Sequence, residues 1–210
     1  MKLLIVAPGS ELNTGTEIID AFGSSGSDTK ILHGTVSIRY VLDTIASGEF
    51  DSFHFAGHGD ESRLVFTDGT LESSLLADAI RKNGNVVLCL FNSCESAGIA
   101  SLCHLAGSSY AIGWQQGVRD DVAVTFAFAF WASYKMSGQI HDAYNTGREA
   151  VIWGYPGQQA PTLLNGHREA ERVRSEALSK RILLGNHGMW ALALALSVSI
   201  FFNLYLLLLQ

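Results

Sequence analysis

Two stretches, His54-Phe55-Ala56-Gly57-His58-Gly59 and Phe91-Asn92-Ser93-Cys94-Glu95-Ser96, decide how this chain folds. Each ends a β-branched and aromatic apolar run, Phe50 to Phe55 and Val86 to Phe91. Each therefore reads as a buried strand of an α/β sheet whose carboxyl end carries a polar residue. That places His58 and Cys94 at one edge of the same sheet, where open α/β sheets hold their ligands. A thiol facing an imidazole there is the arrangement nucleophilic catalysis needs, so His58 and Cys94 are the candidate catalytic dyad.

The residues around the pair fit that chemistry. A free cysteine, with a pKa of roughly 8.5, is mostly protonated at neutral pH, so a nucleophilic one must have its thiolate stabilised. Glu95 to Leu102 reads as the start of a helix, whose N-terminal N–H groups and dipole favour an anion at Cys94. His58 is placed to take the thiol proton and return it to the leaving amine. Gly57 and Gly59 let a substrate carbonyl approach the backbone, which makes the N–H groups of Gly59 and Cys94 the candidate oxyanion donors.

Around these strands the elements alternate. Leu3 to Ala7 reads as a first strand, since five apolar residues before Pro8-Gly9 are too few for a secretory leader; the reading starts the chain in the cytosol. Glu17 to Phe22 reads as a short helix, Gly23 to Ser27 as a loop, and Lys30 to His33 as a second strand. Ile38, Val41, Leu42, Ile45 and Ala46 fall at helical spacing, as do Leu75, Leu76, Ala79 and Ile80. Strands alternating with helices imply a mostly parallel sheet flanked by helices. Val122 to Met136 is apolar nearly all round and reads as a buried core helix, with a partner surface as the alternative.

These residues carry a resemblance. HFAGHG followed by a strand ending in NSCES resembles the CHAT family of caspase-like cysteine proteases, in the clan of separases, caspases and gingipains. Leu64-Val65-Phe66-Thr67-Asp68-Gly69 is similar to the family's hairpin, and Tyr110 to Trp114 to its strand after the nucleophile. Asp120 to Gly138 and Ala143 to Ala150 resemble its two closing helices, so the likeness covers roughly residues 50 to 151. The family pattern around the nucleophile is closer to S-A-C-E-T; here Asn92 and Ser93 precede Cys94, and Ser96 follows Glu95. The resemblance implies a caspase-like fold and a cysteine endopeptidase with no cofactor. Relatives that cut after Arg or Lys use a pocket carboxylate, a role that falls to Asp120 or Asp121; Asp120 alternatively caps a helix starting at Val122.

Other chemistry is weaker. Cys89 lies mid-strand and reads as a structural hydrophobe. Cys103 and His104 are adjacent on a helix, about 100° apart, and do not clamp one zinc ion. His54 and His58 are four apart on one strand face, yet further metal ligands are not evident, so His54 reads as a satisfied histidine flanking the site. Ser93 and Ser96 lack the G-x-S-x-G setting of a hydrolase serine.

Composition shifts after about Ile152, which divides the 210 residues into a protease domain at 1–156, a charged linker at 157–188 and a span at 189–209. The last holds 21 residues without a charge, enough at about 1.5 Å each to cross a roughly 30 Å hydrocarbon core as a transmembrane helix. Residues 165–188 carry five basic and three acidic side chains, a local +2 against −8 for the rest, which suits anionic headgroups. The basic flank orients the catalytic domain toward the cytoplasm, on the inner membrane. A net charge of −6 disfavours nucleic acid as a partner, and three cysteines disfavour a disulfide framework. The dyad and the span, taken with the resemblance, imply a membrane-anchored endopeptidase that activates a partner protein. The resemblance further implies a gasdermin-type pore-former in antiphage defence as that partner. A non-catalytic adaptor and a thiol acyltransferase are the alternatives.

Overall fold

A computed structural model describes residues 1–9, 28–166, 170, 172–177 and 179. The expected helix at Glu17–Phe22, the loop after it and the apolar span at 189–209 lie outside the described residues. The chain divides into two compact units, Met1–Arg174 and Ser175–Gln210. In the second unit, residues 175–177 and 179 are helical, and the Ser179 hydroxyl donates to the Ser175 carbonyl at 2.8 Å. No helix among the described residues is long and apolar enough to cross a membrane.

The first unit is built on a six-stranded sheet. Its strands are β1 (Leu3–Pro8), β2 (Thr29–Gly34), β3 (Ser52–Ala56), β6 (Leu88–Asn92), β7 (Tyr110–Gly113) and β8 (Thr162–Leu164), in the order β2-β1-β3-β6-β7-β8. All neighbours run parallel except β7 and β8. A separate antiparallel hairpin joins β4 (Arg63–Phe66) to β5 (Gly69–Glu72). The sheet is thus mostly parallel, as its continuous apolar strands require: β1, β3 and β6 are buried at every residue, which demands cover on both faces.

Alternation sorts each strand between two cores. Leu4, Val6, Phe53, Phe55, Cys89 and Phe91 face one side, with α1 (Ile38–Ala46), α2 (Ser73–Asn83) and α3 (Ala97–Leu105). Leu3, Ile5, Leu88, Leu90 and Ile112 face the other, under α4 (Asp120–Ser137) and α5 (Ile140–Gly154). The apolar helix read from Val122 to Met136 does pack into this core through Phe126, Phe130 and Trp131, while Phe128 and Met136 stay exposed. Past Pro156 the chain still contributes to this unit: β8 pairs with β7, and Ala170 and Val173 are buried within the stretch read as a charged linker.

The two helices over the second core approach closely because Gly147 on α5 has no side chain. A Cβ there would meet the Phe126 ring at 2.8 Å. Gly147→Ala is therefore expected to lower stability by about 1–3 kcal/mol, read as a fall in the denaturant midpoint at unchanged slope.

Candidate active site

Parallel pairing sets the site. β3 and β6 are neighbours with Ala56 opposite Asn92, and the Gly57 N–H donates to the Asn92 carbonyl at 3.2 Å. His58 and Cys94 each lie two residues past that matched pair, so both strands deliver their polar residue at one sheet edge. A Cβ on Gly59 would lie 2.8 Å from the Ser93 hydroxyl and 2.8 Å from the Arg63 carbonyl. The loop carrying His58 is thus packed directly on the turn carrying Cys94. His58 is exposed and Cys94 half-buried.

The histidine loop is held by its own short-range bonds. Asp60 accepts from the N–H groups of Ser62 at 2.9 Å and Arg63 at 2.8 Å, and its other oxygen pairs with the Arg63 guanidinium at 2.7 Å. Burial works against the Asp60 carboxylate, yet these donors outweigh it and hold the carboxyl below its usual range. Gly59 bridges to Leu64 through its neighbours: the Val65 N–H donates to the His58 carbonyl and the Asp60 N–H to the Arg63 carbonyl. In such a non-hydrogen-bonded pair the Gly59 N–H points away from β4. Gly59→Ala is expected to lower turnover about 10²-fold, because its Cβ drives the His58 loop off the cysteine turn. A steady-state comparison with the parent at equal folded fraction checks this.

The cysteine turn is different from the expected helix N-terminus. α3 begins at Ala97, so Cys94 sits in the turn before the helix, and the backbone returns through Glu95 at φ 53°. A non-glycine residue in the left-handed region is uncommon, and such positions cluster at functional turns. The Glu95 N–H donates to the Gln116 carbonyl at 3.1 Å. The Cys94 thiol donates to the Val118 carbonyl at 3.6 Å. Two carbonyls of the β7–α4 connection therefore face the cysteine turn, and the Cys94 S–H is directed at that of Val118.

Asn92 fastens the same edge from below. Its amide donates to the Ala123 carbonyl at 2.8 Å and accepts the Trp114 indole N–H at 3.3 Å, tying β6 to α4 and to the end of β7. Asp60, Asn92, Trp114 and Val118 are residues that sequence reasoning did not assign to the site. For Asp60 the signal was present, since Asp followed two and three residues later by backbone donors is a common turn pattern.

Asp120 and Asp121 lie in the first turn of α4, just past Val118, and both are exposed. The helix starts at Asp120 with Arg119 as its N-cap, which corrects the expected cap at Asp120 ahead of Val122. Asp120 is inside the helix because Arg119 already accepts the first helical N–H groups, those of Val122 and Ala123, on its carbonyl. Asp121 is paired with Arg119 at 2.7 Å, and the guanidinium lies over the Tyr155 ring. Of the two carboxylates, Asp120 has no ion pair among the described residues.

His54 is not part of this edge. It is fully buried on the opposite core face, where the Trp131 indole donates to its Nδ1 at 3.0 Å. Its Nε2 has no hydrogen-bond partner among the described residues, where the expected satisfied histidine is only half satisfied. Burial pushes its pKa down to about 3, which keeps the ring neutral. Cys103 and Cys89 are both buried, and burial beside Cys89 pushes the Cys103 thiol up. Among the described residues no group of three or more His, Cys, Asp or Glu side chains converges to hold a metal ion.

At the level of sequence, neither a family model nor a curated protein matches the chain. Solved structures do. A secreted C11 cysteine protease from Bacteroides thetaiotaomicron, captured with an irreversible peptide inhibitor, superposes with a TM-score of 0.53 at 9% identity, covering 81% of this chain and 66% of that one. The chain has a caspase-like fold. The Arg-specific gingipain R aligns at TM-score 0.55 and 11% identity over 74% of this chain and 42% of its own. Separase from Saccharomyces cerevisiae, solved with securin, aligns at 0.56 and 14% over 78% of this chain and 12% of its own. The chain thus spans less than two thirds of each of these neighbours. With identities this low the likeness shows the caspase-like arrangement of strands and helices, which is the arrangement described above.

Proposed function

We propose that this chain is a cysteine endopeptidase of the CHAT type, with Cys94 as nucleophile and His58 as general base and acid. The observation that carries the reading is the register: β3 and β6 pair so that His58 and Cys94 leave the sheet side by side. The caspase-like fold of the solved cysteine proteases supports it.

In the proposed reaction the substrate enters beside the β7–α4 connection, and the Cys94 thiol gives up its hydrogen bond to the Val118 carbonyl and passes its proton to His58. The Cys94 sulfur then attacks the peptide carbonyl carbon, forming a carbon–sulfur bond, and the carbonyl oxygen gains negative charge. Neither the Gly59 nor the Cys94 N–H donates to an acceptor among the described residues, which leaves both for that oxygen. The carbon–nitrogen bond breaks as His58 protonates the departing amine. Water, deprotonated by His58, cleaves the thioester and restores the thiol. No metal or cofactor takes part in this scheme. Asp120 is the carboxylate for a basic residue before the cut, since Asp121 is already neutralised by Arg119.

The 21 uncharged residues at 189–209 anchor the enzyme to the cytoplasmic membrane in this reading, with the protease domain in the cytoplasm. A tethered protease acts where a released pore-former would insert, which fits a gasdermin-like substrate in antiphage defence. The test uses the full chain in detergent with acyloxymethyl ketone peptides carrying Arg, Lys, Leu or Asp beside the warhead. Labelling at Cys94 that His58→Ala abolishes is the expected result, with the Arg probe preferred and weakened severalfold by Asp120→Asn. Absence of labelling in a folded chain would sink the peptidase reading and favour an adaptor; labelled thiol without peptide cleavage would favour an acyltransferase. For the membrane role, deletion of 189–209 should abolish the cellular phenotype while leaving peptide cleavage intact.

A further inference from the structure

We propose that Ser96 is the positioning residue of the site, acting through the turn that presents Cys94; this rests on the dyad proposed above. Ser96 is fully buried, two residues past the thiol, and it does not face the substrate edge. Its hydroxyl lies 2.7 Å from the Ser93 carbonyl and 3.3 Å from the Phe91 carbonyl, so its proton is donated back across the turn. The same oxygen accepts the Trp114 N–H at 3.2 Å. One side chain thus closes the turn from Ser93 to Ser96, with Cys94 at its crown, and pins that turn to the end of β7.

The neighbouring backbone is built around this bond. The Ala97 N–H donates to the Trp114 carbonyl at 2.9 Å, so Trp114 is held through both of its peptide groups. A Cβ on Gly113 would lie 2.6 Å from the Ser96 carbonyl, which means β7 meets the turn at backbone contact. Glu95 sits at φ 53° between the thiol and Ser96, a conformation that persists only when its surroundings fix it. Without the hydroxyl, the Ser93 carbonyl and the Trp114 N–H both lose a buried partner, and a relaxed Glu95 would swing Cys94 away from His58. A displacement of about 1 Å in such a site can cost 10²-fold in rate.

The experiment follows carboxamidomethylation of the full chain by iodoacetamide, with each cysteine read separately by mass spectrometry. Cys89 and Cys103 are buried, so their labelling reports loosening of the whole domain, whereas Cys94 reports its own turn. Ser96→Ala is expected to slow Cys94 labelling by about tenfold or more while Cys89 and Cys103 stay protected. Ser96→Thr keeps the hydroxyl and should recover the Cys94 rate even if its added methyl lowers the melting temperature. Ser101→Ala, which removes another buried serine hydroxyl, one on α3 that donates to the Ala170 carbonyl, controls for stability and should leave the Cys94 rate unchanged.

A Ser96→Ala rate at or above wild type, or a Ser96→Thr rate as low as that of Ser96→Ala, overturns the assignment. His58→Ala is run in parallel. If it leaves the Cys94 rate unchanged, the dyad fails and this role fails with it; if it slows Cys94 while Ser96→Ala does not, only the role of Ser96 is lost.

Discussion

Cys94→Ala and His58→Ala should each lower peptide hydrolysis by about a thousandfold or more, and the double variant should be no slower than the worse single one. The magnitude follows from the proposed mechanism, in which no acyl-enzyme forms without the thiol, and without the imidazole the thiol has no base and the amine no acid. Stability should barely change, which separates this effect from unfolding. His58 is exposed, and the Cys94 side chain makes one weak bond to the Val118 carbonyl. Substitutions at such positions usually fall within about 0.5 kcal/mol of the parent. Full hydrolysis by either single variant, measured by release of a fluorogenic leaving group, would remove that residue from the chemistry.

The second large effect is loss of stability in mild acid, and it arises at His54. Its folded pKa is lowered from 6.5 to about 3 by burial. Above pH 6.5 the ring is neutral in both states, and the contribution to stability is fully present. As the pH falls below 6.5 the unfolded chain binds a proton that the folded chain refuses until about pH 3. Stability therefore falls by up to about 1.4 kcal/mol per pH unit through that window. Burial at the centre of the sheet makes the penalty large, because protonation would place a charge beneath Trp131, with no partner for Nε2 among the described residues. Denaturation midpoints between pH 7 and 4, compared with His54→Leu, check the sign. The variant should be less stable at neutral pH, having lost the His54 acceptor of the Trp131 indole N–H, yet lose much less on acidification. An unchanged slope in His54→Leu would place the acid sensitivity elsewhere.

The two effects concern histidines only four residues apart, and local sequence does not separate them. His54 and His58 share one strand face by count, but β3 ends at Ala56 and the chain turns out through Gly57, so one ring is buried and the other exposed. Where a strand stops is set by its partners, here by the Gly57 N–H finding the Asn92 carbonyl. The same holds for Asp120 and Asp121. Their charge is visible in the sequence, but which of them is neutralised depends on where Arg119 lies in the connection to α4.

What the sequence by itself determined is the class of fold and the place of the candidate site. Apolar runs at β1, β3 and β6, separated by helical spacing, force a parallel sheet covered on both faces, because their burial at every residue leaves no face for water. The polar residues ending two such strands are then bound to meet at one edge. Only the tertiary structure decided how the thiol is presented. Ser96, Asn92, Trp114 and Val118 reach the turn through bonds spanning up to 31 residues of chain, and short-range patterns of composition or period carry no information about such pairings. The start of α3 at Ala97 has the same origin: a helix beginning at Glu95 would forfeit the bonds from the Trp114 N–H to the Ser96 hydroxyl and from the Glu95 N–H to the Gln116 carbonyl that fix the turn.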